Sequence, residues 1–511
     1  MTANVLMVQG SSSSAGKSML VTALCRMFSR RGIRVAPFKA QNMSNNAAVC
    51  PDGSEIGRSQ AVQAVAAGRD PAAEMNPVLL KPEGNSQSQI IAMGRPWRRV
   101  SARDYYRHKP DLWPIVTQAL DQLRASHDLV VIEGAGSPAE LNLRAGDIVN
   151  MAIARYAQSP VLLVGDIDRG GIFAQLLGTV WLLEPDEREL VRGLVVNKFR
   201  GDMTLFDEGV RVLEARGDVP VLGVIPFMSD IAIPEEDSAT LDTAYSNGTP
   251  HVDDIDIAVI RLPRIANYDD FAPLAAETGV NVRYVSSRNT LGAPHAVILP
   301  GTKSTISDLM WLREQGLDQA ILEMAEQGTA VVGICGGYQM LGRSIHDPEH
   351  VEASVDQTHA LGLLPIDTLF DEIKATHQIQ AHLLGGPGWL HALAGDRISG
   401  YEIHMGQTAS PHPWLQITTR SGQAVQFNDG AMRADGKVWG CYVHGLFANP
   451  TLRRAWLTDL GWPGANGALP AMTDLQTALD QLANHVEASL DMKQLESIIW
   501  HDDSFLGLTP S

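Results

Sequence analysis

Residues 329–337 read Thr-Ala-Val-Val-Gly-Ile-Cys-Gly-Gly, an apolar strand that runs into a G-x-C-G-G turn. A cysteine on such a sharp strand-to-helix turn is held where a substrate can reach it, and the flanking glycines permit the tight backbone. Cys335 is therefore a candidate nucleophile. The alternative is a buried structural cysteine, because free cysteine is usually buried. The later run Tyr442-Val443-His444-Gly445 provides His444 as a base and favours the nucleophile.

Short apolar strands alternate with helical patterns on both sides of this turn. This alternation predicts an α/β fold with two doubly wound, mainly parallel-sheet domains and a helical C-terminal tail. The first domain is expected at residues 1–230 and the second at 255–450, with a polar, turn-rich linker at 231–254. Residues 451–511 form a helical extension that we expect to pack on the second domain. The predicted strands are Val5–Gln9, Leu129–Ile132, Val161–Gly165, Leu194–Asn197, Val221–Ile225, Ile255–Arg261, Val282–Val285, Ala296–Leu299 and Thr329–Gly333.

Composition excludes several classes of protein. The chain has 511 residues, 45% of them apolar, and a net charge of −18, which is typical of a globular protein of several domains. The acidic balance argues against nucleic acid or an anionic membrane as a partner. Four cysteines without a C-x-x-C pair indicate neither a disulfide framework nor a zinc site. The first residues lack a basic signal region and no apolar stretch is of membrane-spanning length, so we expect a soluble cytoplasmic protein.

The first domain opens on a phosphate-binding pattern. Its first strand is followed by Gly-Ser-Ser-Ser-Ser-Ala-Gly-Lys-Ser at residues 10–18 and then by an apolar helical stretch. Backbone N–H groups of such a loop point at phosphate oxygens. We expect Gly10 and Gly16 to shape a loop that binds ATP. Lys17 would reach the terminal phosphates, and Ser18 would bind Mg²⁺. Five residues separate the two glycines, one more than in the standard loop.

Polar residues follow three further strands of the first domain, at the sheet edge where open parallel sheets bind ligands. Glu133 and Asp166 are candidate Mg²⁺ ligands, and Asn197 is a candidate contact to the nucleotide base. Glu133 could instead cap a helix or turn, and Asn197 could belong to a simple strand-end turn. Arg169 could bind a substrate carboxylate, or only pair with Asp166 or Asp168.

The segment KAQNMSNN at residues 39–46 is unusually rich in amides. Its amides and lysine suit recognition of a ligand that carries carboxylates or amides. The candidate substrate contacts in it are Lys39, Gln41, Asn42 and Asn45. A solvated loop is the alternative interpretation of this segment.

In combination, these motifs resemble the cobyric acid synthase family. The first domain is similar to the dethiobiotin synthetase family, which has the same G-x5-G-K-[ST] spacing, and the second is similar to class I glutamine amidotransferases. The sister family, cobyrinic acid a,c-diamide synthase, shares the architecture, but KAQNMSNN and the phosphate loop favour cobyric acid synthase. The resemblance covers residues 4–450 and rests on KAQNMSNN at 39–46, EGAGSPAE at 133–140, DIDRGG at 166–171, NKFRGD at 197–202, LPGTKST at 299–305 and GYEIHMG at 400–406.

The resemblance implies an ATP- and glutamine-dependent ligase of cobalamin biosynthesis. Its implied substrate is adenosylcobyrinic acid a,c-diamide, amidated on the b, d, e and g carboxylates, with Mg²⁺ and ATP as cofactors. A homo-oligomer is compatible with the sequence. Two rival hypotheses are a ligase for a cell-wall lipid precursor and a ParA/MinD-like regulatory ATPase with a degenerate amidotransferase domain. Intact Cys335 and His444 argue against degeneration.

For the amidotransferase half, the residues permit a nucleophilic mechanism. The Cys335 thiolate would attack the glutamine amide, with His444 as base and later proton donor. The expected oxyanion donors are the backbone N–H groups of Gly336 and of Gly301 or Thr302.

One position departs from the triad pattern. Triad amidotransferases usually carry Glu two residues after the histidine, and here that position is Leu446. The resembled family also works with a Cys–His pair, so the departure fits the resemblance. Glu402 or a backbone carbonyl could orient His444, and the sequence leaves both open.

Overall fold

A six-stranded parallel sheet forms the centre of the first half of the molecule. The computed structural model describes residues 2–83, 87–228, 233, 254–464 and 475–500. The strands of this half are β1 (Asn4–Gly10), β2 (Val35–Phe38), β3 (Gln41–Met43), β4 (Ala47–Val49), β5 (Glu55–Gly57), β6 (Val78–Pro82), β7 (Gln87–Ala92), β8 (Arg95–Ser101), β9 (Leu129–Glu133), β10 (Val161–Asp166), β11 (Val191–Phe199) and β12 (Val221–Pro226). The large sheet has the order β12-β11-β10-β1-β9-β2.

Helices cover both faces of this sheet. Alternate residues of a strand point to opposite faces, and accordingly Leu6 and Val8 pack with the first helix while Val5 and Met7 pack against the other face. This arrangement confirms the predicted doubly wound fold. The helices are α1 (Lys17–Arg30), α2 (Arg58–Ala66), α3 (Ala102–Ser126), α4 (Met151–Ala157), α5 (Ile172–Leu182), α6 (Pro185–Arg188) and α7 (Asp207–Gly217).

A small second sheet and a hairpin lie between β2 and α3 in the chain. The sheet has the order β3-β6-β7-β8, and β4 pairs with β5. The sequence analysis does not predict these short strands. They remove the solvated-loop alternative for residues 39–46, because Lys39, Asn42 and Asn46 are buried.

The second half is built on another sheet, of order β14-β13-β15-β16-β24-β23. Its strands are parallel except for the short β23. The strands of this half are β13 (Ile255–Ile260), β14 (Val280–Val285), β15 (Ala296–Leu299), β16 (Ala330–Ile334), β17 (Ser344–His346), β18 (Gln357–His359), β19 (Asp367–Leu383), β20 (Arg397–Ala409), β21 (Leu415–Arg420), β22 (Gln423–Asp429), β23 (Ala431–Met432) and β24 (Val438–Cys441). The helices are α8 (Ala272–Ala275), α9 (Arg288–Leu291), α10 (Thr305–Glu314), α11 (Leu317–Glu326), α12 (Gly336–Leu341) and α13 (Pro450–Asp459).

A mainly antiparallel sheet, which the sequence analysis does not anticipate, follows α12. It has the order β18-β17-β19-β21-β22, and β20 pairs with β19. The long strands β19 and β20 lie beside the hairpin β4–β5 of the first half. Short 3₁₀ turns connect several elements of the molecule: Ala73–Met75, Leu141–Gly146, Met203–Phe206, Tyr268–Phe271, Gly388–Leu393 and Leu446–Ala448.

The last helices, α14 (Leu475–Ser489) and α15 (Met492–Trp500), pack on the first half. The expectation that they pack on the second domain is wrong. Leu479 and Leu482 share an apolar cluster with Leu20 and Leu24 of α1. Arg26 adds an ion pair of 2.8 Å to Asp480. The period of α14 correctly indicates an apolar face, but a period does not identify the surface that the face contacts.

Buried polar contacts join the two halves. The backbone N–H of Asn267 donates to Oδ1 of Asn46 at 2.7 Å. The carboxylate of Glu55, from the first half, accepts from Lys81 at 2.5 Å and also from Lys374 of the second half. Opposite charges offset the desolvation of these groups, because a buried charge requires a partner.

The expected linker at 231–254 lies outside the described residues, except for 233 and 254. The same holds for 465–474 and 501–511 of the expected C-terminal extension. None of the described helices combines the length and apolar character needed to cross a membrane.

We expect Leu482→Ala to loosen the C-terminal helices from the first half. The change leaves a cavity against α1, which costs about 2–5 kcal/mol for a buried leucine. Amide hydrogen exchange should therefore accelerate in α1 and stay at the wild-type rate in β16. Gln481→Ala, on the exposed side of the same helix, is the matched control. Faster exchange in β16 with unchanged α1 would contradict the packing described.

Candidate active sites

Cys335 lies between the end of β16 and the start of α12. Its φ of +52° and ψ of −109° are values that residues with side chains rarely adopt, and such strain is concentrated at functional turns. The tight turn requires glycine, because a Cβ on Gly337 would lie 1.9 Å from the carbonyl oxygen of Leu299. Cys335 is 7% exposed, so its thiol is presented at a narrow opening.

His444 is oriented by Asp270, a residue that the sequence analysis does not identify. Its Nδ1 atom lies 2.7 Å from Oδ2 of Asp270. The other oxygen of that carboxylate accepts from the backbone N–H of Gly445 at 2.8 Å. The Tyr401 ring stacks on the imidazole at 5.2 Å. These contacts fix the ring and place a proton on Nδ1, which leaves Nε2 for chemistry.

Neither Glu402 nor a backbone carbonyl, the two candidates that the sequence leaves open, orients His444, because its Nδ1 faces Asp270. Glu402 instead forms an ion pair with Arg420 at 2.8 Å and a contact of 3.3 Å with His404. Leu446 is buried in the apolar core. The carboxylate of the triad thus comes from the turn at Tyr268–Phe271, after β13.

The electrostatics favour a charged imidazole. Burial by itself lowers the pKa of His444, but the charges of Asp270 and Cys335 and the hydrogen bonds to both raise it to about 10. The group therefore carries its proton at neutral pH when Cys335 is a thiolate. Such a pair holds both the nucleophile and a proton donor in place.

The first half completes this site through Arg58, the first residue of α2. Its Nε lies 3.0 Å from Oδ2 of Asp269, next to Asp270. Its guanidinium also lies over the Tyr401 ring, 5.1 Å from the centroid, and bonds to the tyrosine hydroxyl. Burial raises the pKa of Asp269, and the charge of Arg58 opposes that rise.

A small pocket opens in front of Cys335. It is lined by side chains of both halves, among them Lys81, Gln339 and Glu352. Burial raises the pKa of Glu352 to about 8. Of the predicted oxyanion residues, Gly336 and Thr302 line the pocket, and Gly301 lies next to His444. A Cβ on Gly336 would lie 3.2 Å from the backbone nitrogen of Thr302, and one on Gly301 would lie 2.7 Å from Cε1 of His444.

In the first half, the phosphate loop lies between β1 and α1. Gly16 has a φ of +99°. Asn197 packs against it and donates to the carbonyl of Ala15 at 3.0 Å, so it supports the loop. Lys17 donates to the carbonyls of Ser12 and Gly136, both at 3.0 Å. A Cβ on Gly10 would lie 2.8 Å from that lysine Nζ, which accounts for glycine at the start of the loop.

The side chains present fit a divalent cation beside this loop. Ser18 donates to Glu133 at 2.8 Å, so a hydroxyl and a carboxylate already adjoin, and both are oxygen ligands that Mg²⁺ prefers. Burial by itself raises the pKa of Glu133. The charge of Lys39 and the hydrogen bonds from Lys39, Gln63 and Ser18 outweigh the effect of burial and lower that pKa, so the carboxylate stays ionised. Among the described residues there is no cluster of three or more His, Cys, Asp or Glu placed to hold a metal.

Comparison with known proteins follows the two halves of the chain. Residues 6–241 match the model of the CobQ/CobB/MinD/ParA nucleotide binding domain, and residues 256–452 match that of the CobB/CobQ-like glutamine amidotransferase domain. A cobyric acid synthase of Roseiflexus castenholzii is 55% identical over 97% of this chain and 99% of that protein. One of Chloroflexus aurantiacus is 53% identical over 98% and 100%.

The chain belongs to the cobyric acid synthase family. It is therefore a glutamine-dependent, ATP-using amide ligase with a nucleotide-binding half and an amidotransferase half. The resemblance inferred from the motifs is confirmed. The regulatory ATPase hypothesis does not fit a full-length match to these ligases.

The candidate substrate contacts near β3 are largely engaged within the protein. Lys39 pairs with Glu133 at 2.8 Å, and Asn42 donates to Gln60 at 2.8 Å. The side-chain oxygen of Gln41 accepts from the Tyr105 hydroxyl. In this chain, the segment reaches from Glu133, beside the phosphate loop, to Asn267 of the second half.

The remaining predicted residues lie near the loop. Asp166 is buried and accepts from Lys198 at 2.9 Å, and Arg169 lies 3.6 Å from the same carboxylate. Arg169 is largely exposed, with 62% of its side chain accessible, and lines the large cavity of the first half. Asn45 is half-buried. The metal role of Asp166 and the substrate roles of Arg169 and Asn45 stay predictions.

The sequence analysis missed three residues that shape the two sites: Asp270, Arg58 and Gln63. The adjacent acids at 269 and 270 follow a predicted strand, which is the signal that could have identified Asp270. Arg58 and Gln63 carry no comparable local signal, because their partners are far away in the chain.

We expect Asp270→Asn to lower the pKa of His444, because the charge that opposes the effect of burial is removed. The alkaline limb of the glutaminase kcat/KM profile should shift to lower pH, since the imidazole loses its proton earlier. The rate at neutral pH should fall about 10²–10⁴-fold. Glutamate release measured across pH tests this. Glu402→Gln is the matched control, and a shift in that variant instead would assign the orienting role to Glu402.

Proposed function

We propose that this enzyme converts adenosylcobyrinic acid a,c-diamide into cobyric acid by amidating its b, d, e and g carboxylates. Each amide consumes one glutamine and one ATP. The observation that carries the proposal is the full-length similarity to cobyric acid synthases, combined with intact chemistry in both halves.

Ammonia is produced in the second half. The Cys335 sulfur attacks the side-chain carbon of glutamine, and the developing oxyanion is stabilised by backbone N–H groups near Gly336 and Gly301. The C–N bond then breaks as the His444 imidazolium gives its proton to the leaving nitrogen. His444, now neutral, takes a proton from water, which attacks the thioester and releases glutamate. Asp270 holds the imidazole throughout.

The carboxylate is activated in the first half. Its oxygen attacks the γ-phosphorus of ATP, ADP leaves, and an acyl phosphate forms. Lys17 stabilises the charge on the transferring phosphoryl group. Ser18 and Glu133 would hold Mg²⁺, which supplies further positive charge when bound. Ammonia then attacks the acyl carbon, and the C–O bond to phosphate breaks to give the amide and phosphate.

One phosphate loop and one Cys335 must serve four carboxylates in succession. Rebinding of the corrinoid in new orientations is the simplest explanation for this. We therefore expect partly amidated corrinoids to appear free in solution. Mass spectrometry of a time course, with assays of ADP and glutamate, should show one of each per amide. A product that stops at one new amide, or amidation of cobyrinic acid at the a and c positions instead, would contradict the substrate assignment.

Two substitutions separate the halves of the reaction. We expect Cys335→Ala to abolish amidation from glutamine while amidation from ammonium salts continues, because only the nitrogen source is lost. Lys17→Ala should reduce amidation from both donors by about 10²–10³-fold, the cost of losing one charge-stabilising group. Steady-state rates with each nitrogen donor measure this. Glutamine-dependent turnover in Cys335→Ala, or a normal ammonia-dependent rate in Lys17→Ala, would refute the corresponding assignment.

A further inference from the structure

The cavity beside the phosphate loop is larger than one nucleotide requires. Its volume is 1110 Å³, whereas pockets for single drug-sized ligands have about 300–1,000 Å³. It is lined by the phosphate loop, including Gly16 and Lys17, and also by α3 and the turn at Leu141–Gly146. The cavity therefore exceeds the usual range for one ligand and extends from the phosphate loop to α3.

The wall away from the loop exposes apolar side chains to this cavity. Met43 is 61% exposed, Tyr106 46% and Leu143 42%, and all three line the cavity. We call these three residues the apolar shelf. Exposed apolar groups gathered at a cavity indicate a binding surface. The charged triphosphate of a nucleotide would not bind to such apolar groups.

One cation beside the apolar shelf has no carboxylate at ion-pair distance among the described residues, although the charge of Asp147 acts on it. Lys109 is half-buried, lines the cavity and forms no ion pair within the part of the chain that the structure describes. Its Nζ lies 4.7 Å from the centroid of the Tyr106 ring and donates to the carbonyl of Gly146 at 2.6 Å. By contrast, three other cations that line the cavity have acidic partners: Lys39, Lys198 and Arg144.

Two of the lysines that line this cavity bind the two ends of one segment. Lys17 donates to the carbonyl of Gly136, and Lys109 donates to the carbonyl of Gly146. The turn between these glycines carries Leu143 of the apolar shelf. Lys109 belongs to α3, which packs on the face of the first sheet opposite to α1, the helix that follows the phosphate loop. An ammonium on that side of the cavity suits an anionic group of a second ligand.

We propose that Lys109 and the apolar shelf bind the corrinoid, with the macrocycle against Met43, Tyr106 and Leu143 and a peripheral carboxylate on the Lys109 ammonium. This inference rests on the proposed function. A corrin is a large ring with apolar faces and an anionic rim, and the wall matches both features. Adenine and ribose carry no negative charge, so the nucleotide does not account for Lys109. The bound carboxylate is one that is not reacting in that cycle, because Lys109 lies away from the loop.

Lys109→Met tests this site, with Arg107→Met as the matched control. Arg107 is on the same helix, with 77% of its side chain exposed, and does not line the cavity. Loss of a charged hydrogen bond should raise KM for adenosylcobyrinic acid a,c-diamide by about 10–100-fold. KM for ATP and the glutaminase rate should stay at wild-type values, which also shows that the variant is folded. Lys109→Arg should restore most of the corrinoid KM.

Three outcomes would overturn the inference. In the first, KM for the corrinoid in Lys109→Met equals that in Arg107→Met. In the second, KM for ATP rises as much as KM for the corrinoid, which would assign the cation to the nucleotide. In the third, the wild-type enzyme does not bind or amidate the corrinoid, and then the proposed function fails together with this site. Normal wild-type turnover with an unaffected Lys109→Met variant removes the site alone.

Discussion

Two adjacent buried carboxylates, Asp269 and Asp270, set the constraint on which the amidotransferase site depends. Buried charges require partners, and the two partners come from different places. His444 neutralises Asp270 from the same half, and Arg58 neutralises Asp269 from the other half. Because Arg58 also contacts the Tyr401 ring that stacks on the imidazole, His444 is held on one side by its own half and on the other by the nucleotide-binding half.

The helix that carries Arg58 also reaches the nucleotide site. Gln63, on the same helix, donates to Glu133 at 2.5 Å, and Glu133 accepts from Ser18 of the phosphate loop. Arg58 and Gln63 are about 7.5 Å apart along the axis of α2, because a helix rises about 1.5 Å per residue. One rigid element thus touches a predicted magnesium ligand at one end and the surroundings of His444 at the other.

Local patterns made the strands, the phosphate loop and Cys335 predictable, because each is encoded within a few consecutive residues. His444 was found for the same reason, at a strand end. Asp270 lies 174 residues from its partner, and nothing near Leu446 indicates where the missing carboxylate is. The segment at 39–46 shows a related limit. Its amides and lysine were interpreted as contacts to substrate, yet several of them bind other buried groups, since composition does not distinguish a polar interior from a polar surface.

The docking of the last helices explains how the two halves keep their contact. The backbone N–H of Asp491, between α14 and α15, donates to the carbonyl of Leu222 in β12 at 2.7 Å, so these helices cover the outer strand of the first sheet. The chain therefore leaves the first half after β12 and returns to it beside the same strand. A second half attached at both ends has less freedom to move away than one attached at a single end, because a closed loop has fewer conformations. This restraint helps to keep Arg58 against Asp269. With a single connection, only the contacts at the interface would hold the two halves together.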